Sequence, residues 1–264
     1  MQWFDYPIIG HPVMWGVFIC FIIQLLAWQK QRVTNNADTV DIAWTLGIIL
    51  CALIYLIQVN TSWQNVLMIL LFPVLWYLRL LFHLLVRYDV AHEDSRYQNL
   101  RAHWSEGTQI KFLYFFLFQA ILSVLFSLPA YWVMTTAMLT NMQIVLAVSL
   151  GVSALIGVTI ADHQLLQFKR KHDVSQVCDH GLWKYSRHPN YFFEWLHWFV
   201  YPILLWETSY FGWSCLMVGI MLLFLLKLTG IPFSEQQALK KRGQLYQNYM
   251  NRTSPFILWR PKND

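Results

Sequence analysis

Arg187, His188, Asn190, Tyr191 and Glu194 crowd around Pro189 in the stretch GLWKYSRHPNYFFE, Gly181–Glu194, at the doorway of an apolar run. Polar and ionisable groups at membrane depth are costly, so such a cluster marks a functional site by default. Pro189 suits the first turn of a helix, where a missing N–H costs nothing. The free amides and partial positive charge of that helix start suit a pyrophosphate. Arg187 can add bidentate phosphate contacts. Asn190, in the first turn, can pair with an amide such as a carboxamide. Glu194 and Trp198 fall four and eight residues after Asn190, on one face of the expected helix. Glu194 needs a partner: an arginine, a tyrosine or a bound cofactor. For Trp198, packing in the core or against lipid is an equal account.

Other groups with chemical potential fall in four further places. His92-Glu93-Asp94-Ser95-Arg96-Tyr97 mixes acid, base and aromatic within six residues. That mixture favours a binding loop over a merely solvated one. Asp162 and His163 end the fifth apolar run, and Lys169 and Arg170 follow. Asp162 and Lys169 are seven residues apart, two helical turns, so both can face one side. A carboxylate beside cations could grip a ribose and a phosphate, although a helix-end ion pair accounts for them equally well. Asp41 enters an apolar helix with Asp38 one turn before it and no cation on its own helix. In apolar surroundings without a cation the protonated acid is favoured, and it can donate a hydrogen bond. The tail GIPFSEQQALKKRGQLYQNYMNRTSPF reads as an amphipathic surface helix from about Ser234 to Tyr249, with Ser234 as its N-cap.

The elements that position these groups are membrane helices. The chain has 264 residues, 57% hydrophobic and 12% charged, too apolar for an ordinary soluble domain. A bilayer core needs about 20 apolar helical residues. Seven stretches qualify: Pro12–Trp28, Val40–Val59, Trp63–Leu85, Phe112–Thr135, Met142–Leu166, Pro189–Trp206 and Tyr210–Thr229. They follow one another without a polar domain between them. The expectation is therefore a single all-α, polytopic membrane domain over residues 1–264, with a cofactor-binding half from about residue 87. No cleavable signal peptide is expected. The 19 Lys and Arg lie in or beside the odd-numbered connections and the tail, and none near Asn60, Asn141 or Glu207. The positive-inside rule then places the amino terminus outside and the carboxyl terminus in the cytoplasm, which needs an odd number of spans. The formal charge of +5 is a basic cytoplasmic face and argues for no nucleic acid. Cys20, Cys51, Cys178 and Cys215 form no framework. The histidines show no HxxxH or HxxHH pairing, so no metal is expected and a membrane desaturase is disfavoured.

Gly181–Glu194 resembles the signature of the steroid 5α-reductase-like membrane enzymes, and isoprenylcysteine and phospholipid methyltransferases are similar in the same place. DTVDIAW (Asp38–Trp44), WYLRL (Trp76–Leu80), HEDSRYQNLR (His92–Arg101) and the tail from Ser234 to Pro255 are similar to the bacterial reductase-like branch. The resemblance implies NADPH as cofactor, held from the cytoplasmic side. It assigns to that pocket Arg87, Glu93, Asp94, Arg96 and Tyr97. It adds Asp162, His163, Lys169, Arg170, Tyr185, Arg187, His188, Asn190, Tyr191, Glu194 and Trp198. From the tail it takes Glu235, Arg242, Tyr246 and Tyr249. It implies that Asp41 and a tyrosine of the next helix hold a substrate ketone. Tyr77 is the nearest match to that tyrosine; His83 and Tyr88 are further candidates. The implied reaction is reduction of an activated carbon–carbon double bond, such as the Δ4 bond of a 3-oxo-steroid, in a bacterial inner membrane. The alternative is an S-adenosylmethionine-dependent methyltransferase of a lipid or prenylated thiol, which would not need so many cations for phosphates. A non-enzymatic lipid-binding protein must bury Asp41 and Glu194 for structure alone.

Overall fold

The computed structural model describes residues 10–228 and 230–262; the amino-terminal segment 1–9, Thr229 at the end of the seventh expected run, and residues 263–264 lie outside the described residues. Those described are helical and connecting segments without strands. Six helical stretches are long and apolar enough to cross a membrane. The protein is an all-helical, polytopic membrane protein.

Its contacts group into two units, Met1–Thr140 and Asn141–Asp264. In the first, α1 (Pro12–Thr34), α2 (Thr39–Gln58) and α6 (Thr108–Thr135) pack pairwise. Small residues allow that closeness. A Cβ on Gly47 would stand 3.1 Å from Cys20 Sγ and 3.2 Å from Ser123, the small-residue packing expected where helices meet in lipid. Cys20 and Cys51, far apart in sequence, bring their Sγ atoms to 3.5 Å across α1 and α2. The third span is α3 (Trp63–Ile69), a π-helical stretch Leu70–Leu75 and α4 (Trp76–Arg87). Pro73 lies in the π-helical part, where its missing N–H breaks the regular ladder. The short α5 (Ser95–Trp104) follows.

In the second unit α7 (Asn141–Lys171) packs on α8 (Pro189–His197) and α9 (Val200–Leu205). Pro189 opens α8 as expected. The sixth run is not one helix, however: it breaks at Trp198-Phe199. Trp198 and Phe199 turn to three-residue bonds with the Trp195 and Leu196 carbonyls, and Pro202 has no N–H to return to Trp198. α10 (Phe211–Leu223) continues as π-helical turns, Phe224–Leu228. The tail is two helices, α11 (Ile231–Arg242) and α12 (Gln244–Arg252), divided at Gly243 with φ +50°. Ser234 is therefore inside α11 rather than its N-cap: its hydroxyl returns to the Gly230 carbonyl at 3.1 Å.

Candidate active site

Each unit carries polar side chains that gather among the described residues. In the first unit the α4–α5 connection folds back on the α1–α2 turn. The Glu93 carboxylate accepts from Ala37 N–H at 2.8 Å and pairs with Arg101 at 2.8 Å. Asp38 accepts from the Asp94 amide at 2.9 Å, and Asn36 donates to the Asp89 carbonyl at 2.8 Å. These bonds carry Arg96 and Tyr97, in the first turn of α5 with Asp94 as its N-cap, onto Asp41 of α2. Arg96 Nη2 lies 2.9 Å from Asp41 Oδ2, and the Tyr97 hydroxyl donates to Asp41 Oδ1 at 2.8 Å. No cation lies on Asp41's own helix, but one comes from 55 residues away, and the hydroxyl it was expected to meet comes from Tyr97. Arg96 and Tyr97, expected to face a cofactor, face Asp41.

The electrostatics follow. Burial would depress the Arg96 guanidinium, but Asp41, Tyr97 and Asp94 outweigh it and strengthen its hold on its proton. Burial, then the Asp41 charge, pushes the Tyr97 phenol well up. Asp94 lies below the usual carboxylate range: burial would raise it, and Arg96 beside it, with help from Arg87, wins. Asp38 is raised, first by burial and then by the Asp94 and Asp41 carboxylates, against the hydrogen bond from the Asp94 amide.

Tyr77 is buried, with its ring edge-on to Trp44 at 5.8 Å. Trp44 is a residue sequence reasoning passed over. It lies one turn beyond Asp41, between the rings of Tyr77 and Phe126, and its buried indole N–H has no acceptor among the described residues. Its place one turn after an acid on an apolar helix was the available signal. Arg87 is exposed, with Asp94 at 3.7 Å. Of the further tyrosine candidates, the buried Tyr88 hydroxyl has no hydrogen-bond partner among the described residues, and a Lys30 ammonium lies over its ring at 4.7 Å. His83 is half-buried on α4.

In the second unit the signature turn is held by α7 and by the tail. Leu182 N–H donates to Gln164 Oε1 at 2.9 Å, and the Trp183 indole donates to the Ala161 carbonyl at 3.0 Å. Arg187 is the hub. Its Nε meets Glu235 at 2.7 Å, and its Nη1 donates to the Met250 and Thr253 carbonyls at 2.8 and 2.7 Å. The side chain is 8% exposed. This corrects the expectation of a bidentate phosphate grip: two of its nitrogens are committed to fastening α11 and α12. His188 lies 3.4 Å from Glu235 and stacks on Tyr191 at 5.3 Å. Burial pulls the His188 imidazole below its ordinary value, against Glu235. The Tyr191 hydroxyl meets Ser234 at 3.1 Å. Tyr249 donates to the Trp183 carbonyl at 2.5 Å and packs edge-on to Tyr246; burial raises both phenols.

Asn190 Nδ2 donates to Asp162 at 3.2 Å, so the two polar groups read separately in the sequence form one pair. His163 meets Gln167 at 2.8 Å on the exposed side of α7. α7 runs through Lys171, placing Lys169 and Arg170 on its exposed last turn. Glu194 is half-buried on α8. Trp198 is not on Asn190's helical face, because α8 ends at His197; it is buried against Tyr201 at 5.6 Å. Tyr185 is exposed, and its carbonyl accepts from Trp259 N–H at 3.0 Å. Arg242 Nε donates to the Gln176 carbonyl at 2.7 Å.

Residues 27–253 match the model of a family described as a protein of unknown function, DUF1295. That is most of the chain, and the chain belongs to this family. No curated protein and no solved structure matches.

Proposed function

From a DUF1295 chain folded as a polytopic membrane protein, we propose an NADPH-dependent reductase of an activated carbon–carbon double bond in a hydrophobic substrate, such as a 3-oxo-Δ4 steroid. The observation that carries this reading is the assembly of Asp41, Arg96 and Tyr97 at one end of α2. Asp41 gathers a guanidinium and a phenol at the start of an apolar helix, and donors of that kind are what an enone carbonyl would need as charge develops on its oxygen. The resemblance of the signature and the tail to reductase-like enzymes supports the same reading.

The second unit's donor set fits a nucleotide in part. Lys169 and Arg170 are exposed cations, and Asp162 with Asn190 offers a carboxylate and an amide. NADPH, if bound, would supply a hydride to the β-carbon of the enone. The chain's own residues then have defined tasks. Asp41 is a positioning residue: it holds the Arg96 guanidinium and the Tyr97 hydroxyl. Arg96 would oppose the negative charge of the enolate oxygen. A proton from solvent at the α-carbon would complete the reduction, leaving NADP+.

One observation favours the second reading, a methyltransferase. Arg96 and Arg187 are engaged within the protein, which leaves fewer cations to meet phosphate than the sequence offers, and S-adenosylmethionine carries no phosphate. Titration of the purified protein with NADPH and, separately, with S-adenosylmethionine distinguishes the two. Saturable NADPH binding, with enone-dependent loss of nicotinamide absorbance, supports the reductase. Binding of S-adenosylmethionine alone ends that reading.

A further inference from the structure

Below the signature turn the second unit holds a cavity of about 590 Å³, with Asp179, His180, Lys184, Arg252, Thr253 and Lys262 in its lining. Ligand pockets run to about 300–1,000 Å³, so the space exceeds a bare ion. Its walls are built by backbone bonds. Lys262 N–H donates to the Arg252 carbonyl at 2.9 Å, and Trp259 N–H to the Tyr185 carbonyl at 3.0 Å. Gly181, at φ +58°, turns so close to Gln164 that a Cβ there would stand 2.4 Å from Nε2. Three cations line the cavity against one carboxylate, and that carboxylate, Asp179, is already paired with Arg252. The Lys184 and Lys262 side chains are exposed.

The surroundings point to where the ligand resides. On the same tail segment Ile257 and Trp259 are exposed, the latter 71%. Exposed tryptophan beside lysine and arginine is the composition of a membrane–water boundary. We propose that this cavity binds a phosphate group, with Lys184 and Lys262 as its direct partners and Arg252 fixed behind them by Asp179. An anionic lipid headgroup and free phosphate share that chemistry. Arg187, whose Nη1 donates to the carbonyl of the lining residue Thr253, joins this cavity to the signature turn.

The test uses the full chain in detergent. Native mass spectrometry measures retention of phosphatidylglycerol against phosphatidylcholine, and a melting assay without lipid measures the effect of inorganic phosphate. Both are repeated on Lys184→Gln with Lys262→Gln, and on the charge-keeping Lys184→Arg with Lys262→Arg. Preferential retention of phosphatidylglycerol, lost by about thirtyfold in the glutamine pair and kept in the arginine pair, supports the site with a headgroup as its ligand; that size follows from two surface cations facing an anionic leaflet. Stabilisation by inorganic phosphate that the glutamine pair abolishes, with lipid retention unchanged, supports the same site with free phosphate as ligand. Should the glutamine pair fail to fold, the wild-type arms decide. Equal retention of both lipids with no effect of phosphate, or glutamine-pair behaviour equal to wild type in both assays, overturns the proposal.

Discussion

Asp41, Arg96 and Tyr97 form a set in which each member depends on the others. Removing one partner of a fully buried ion pair costs about 3–5 kcal/mol because the other charge is stranded. Here the Asp41 and Arg96 side chains are 30% and 35% exposed, and solvent screening reduces the expected cost of Asp41→Leu to about 1–2 kcal/mol. The apparent melting temperature in detergent should fall accordingly. Asp41→Leu combined with Arg96→Leu should recover only part of the loss, since the Asp94 carboxylate then loses the guanidinium 3.2 Å away. A single variant as stable as wild type would show that the cluster holds nothing together. His188 gives a pH-dependent counterpart. Its folded value lies below its unfolded one, first because it is buried. The fold therefore favours the neutral ring, and its contribution is complete above about pH 6.5 and is lost as pH falls below that. His188→Gln should flatten the decline of melting temperature on the acid side, and an unchanged profile would place the acid sensitivity elsewhere. Asp41, Arg187 and His188 were legible in the sequence as polar groups in apolar runs. Their partners were not, because Arg96 is 55 residues from Asp41 and Glu235 is 48 from Arg187, and such spacing carries no local signal.

The same division holds for the elements. Hydrophobic runs of helical length located the spans, and Pro189 marked a helix start. The break at Trp198 was hidden because the run stays apolar throughout, and Pro202 acts four residues upstream of itself. The division of the tail rests on Gly243 and its positive φ, a conformation that glycine permits and composition alone does not reveal. Gly157 shows how closely α7 and α8 meet. A Cβ there would stand 2.3 Å from the Phe193 ring, so the ring or the helix must shift. Gly157→Ala should destabilise the protein by about 1–3 kcal/mol, the range for overpacking. Adding Phe193→Leu should restore part of that loss, read as a positive coupling in a double-mutant cycle on thermal unfolding. Additive effects of the two changes would mean that α8 moves away as a whole.

At the scale of the molecule the question is how many times the chain crosses the bilayer. Six helical stretches are long and apolar enough. A seventh crossing would fall to the broken pair α8 and α9, residues 189–205. Those 17 residues reach about 25 Å if helical throughout, against about 30 Å of hydrocarbon. Irregular backbone at that depth is tolerated where protein covers it, and Trp198, Val200, Tyr201, Leu204 and Leu205 are all buried. Charge argues for the crossing. The tail carries Lys240, Lys241, Arg242, Arg252, Arg260 and Lys262, and with seven crossings it shares a side with Lys169, Arg170 and Lys171. With six it would face the opposite way, against the positive-inside rule. Alkaline phosphatase fused after Asn60, Asn141 or Glu207 should therefore be active, as it is only outside the cytoplasm. A fluorescent protein fused after Ala91, Asp173 or Pro261 should glow, as it does only within. An inactive phosphatase at Glu207 together with a dark fusion at Pro261 would mean that α8 and α9 turn back without crossing, and the signature, tail and phosphate cavity would then need a different account of the side from which they are reached.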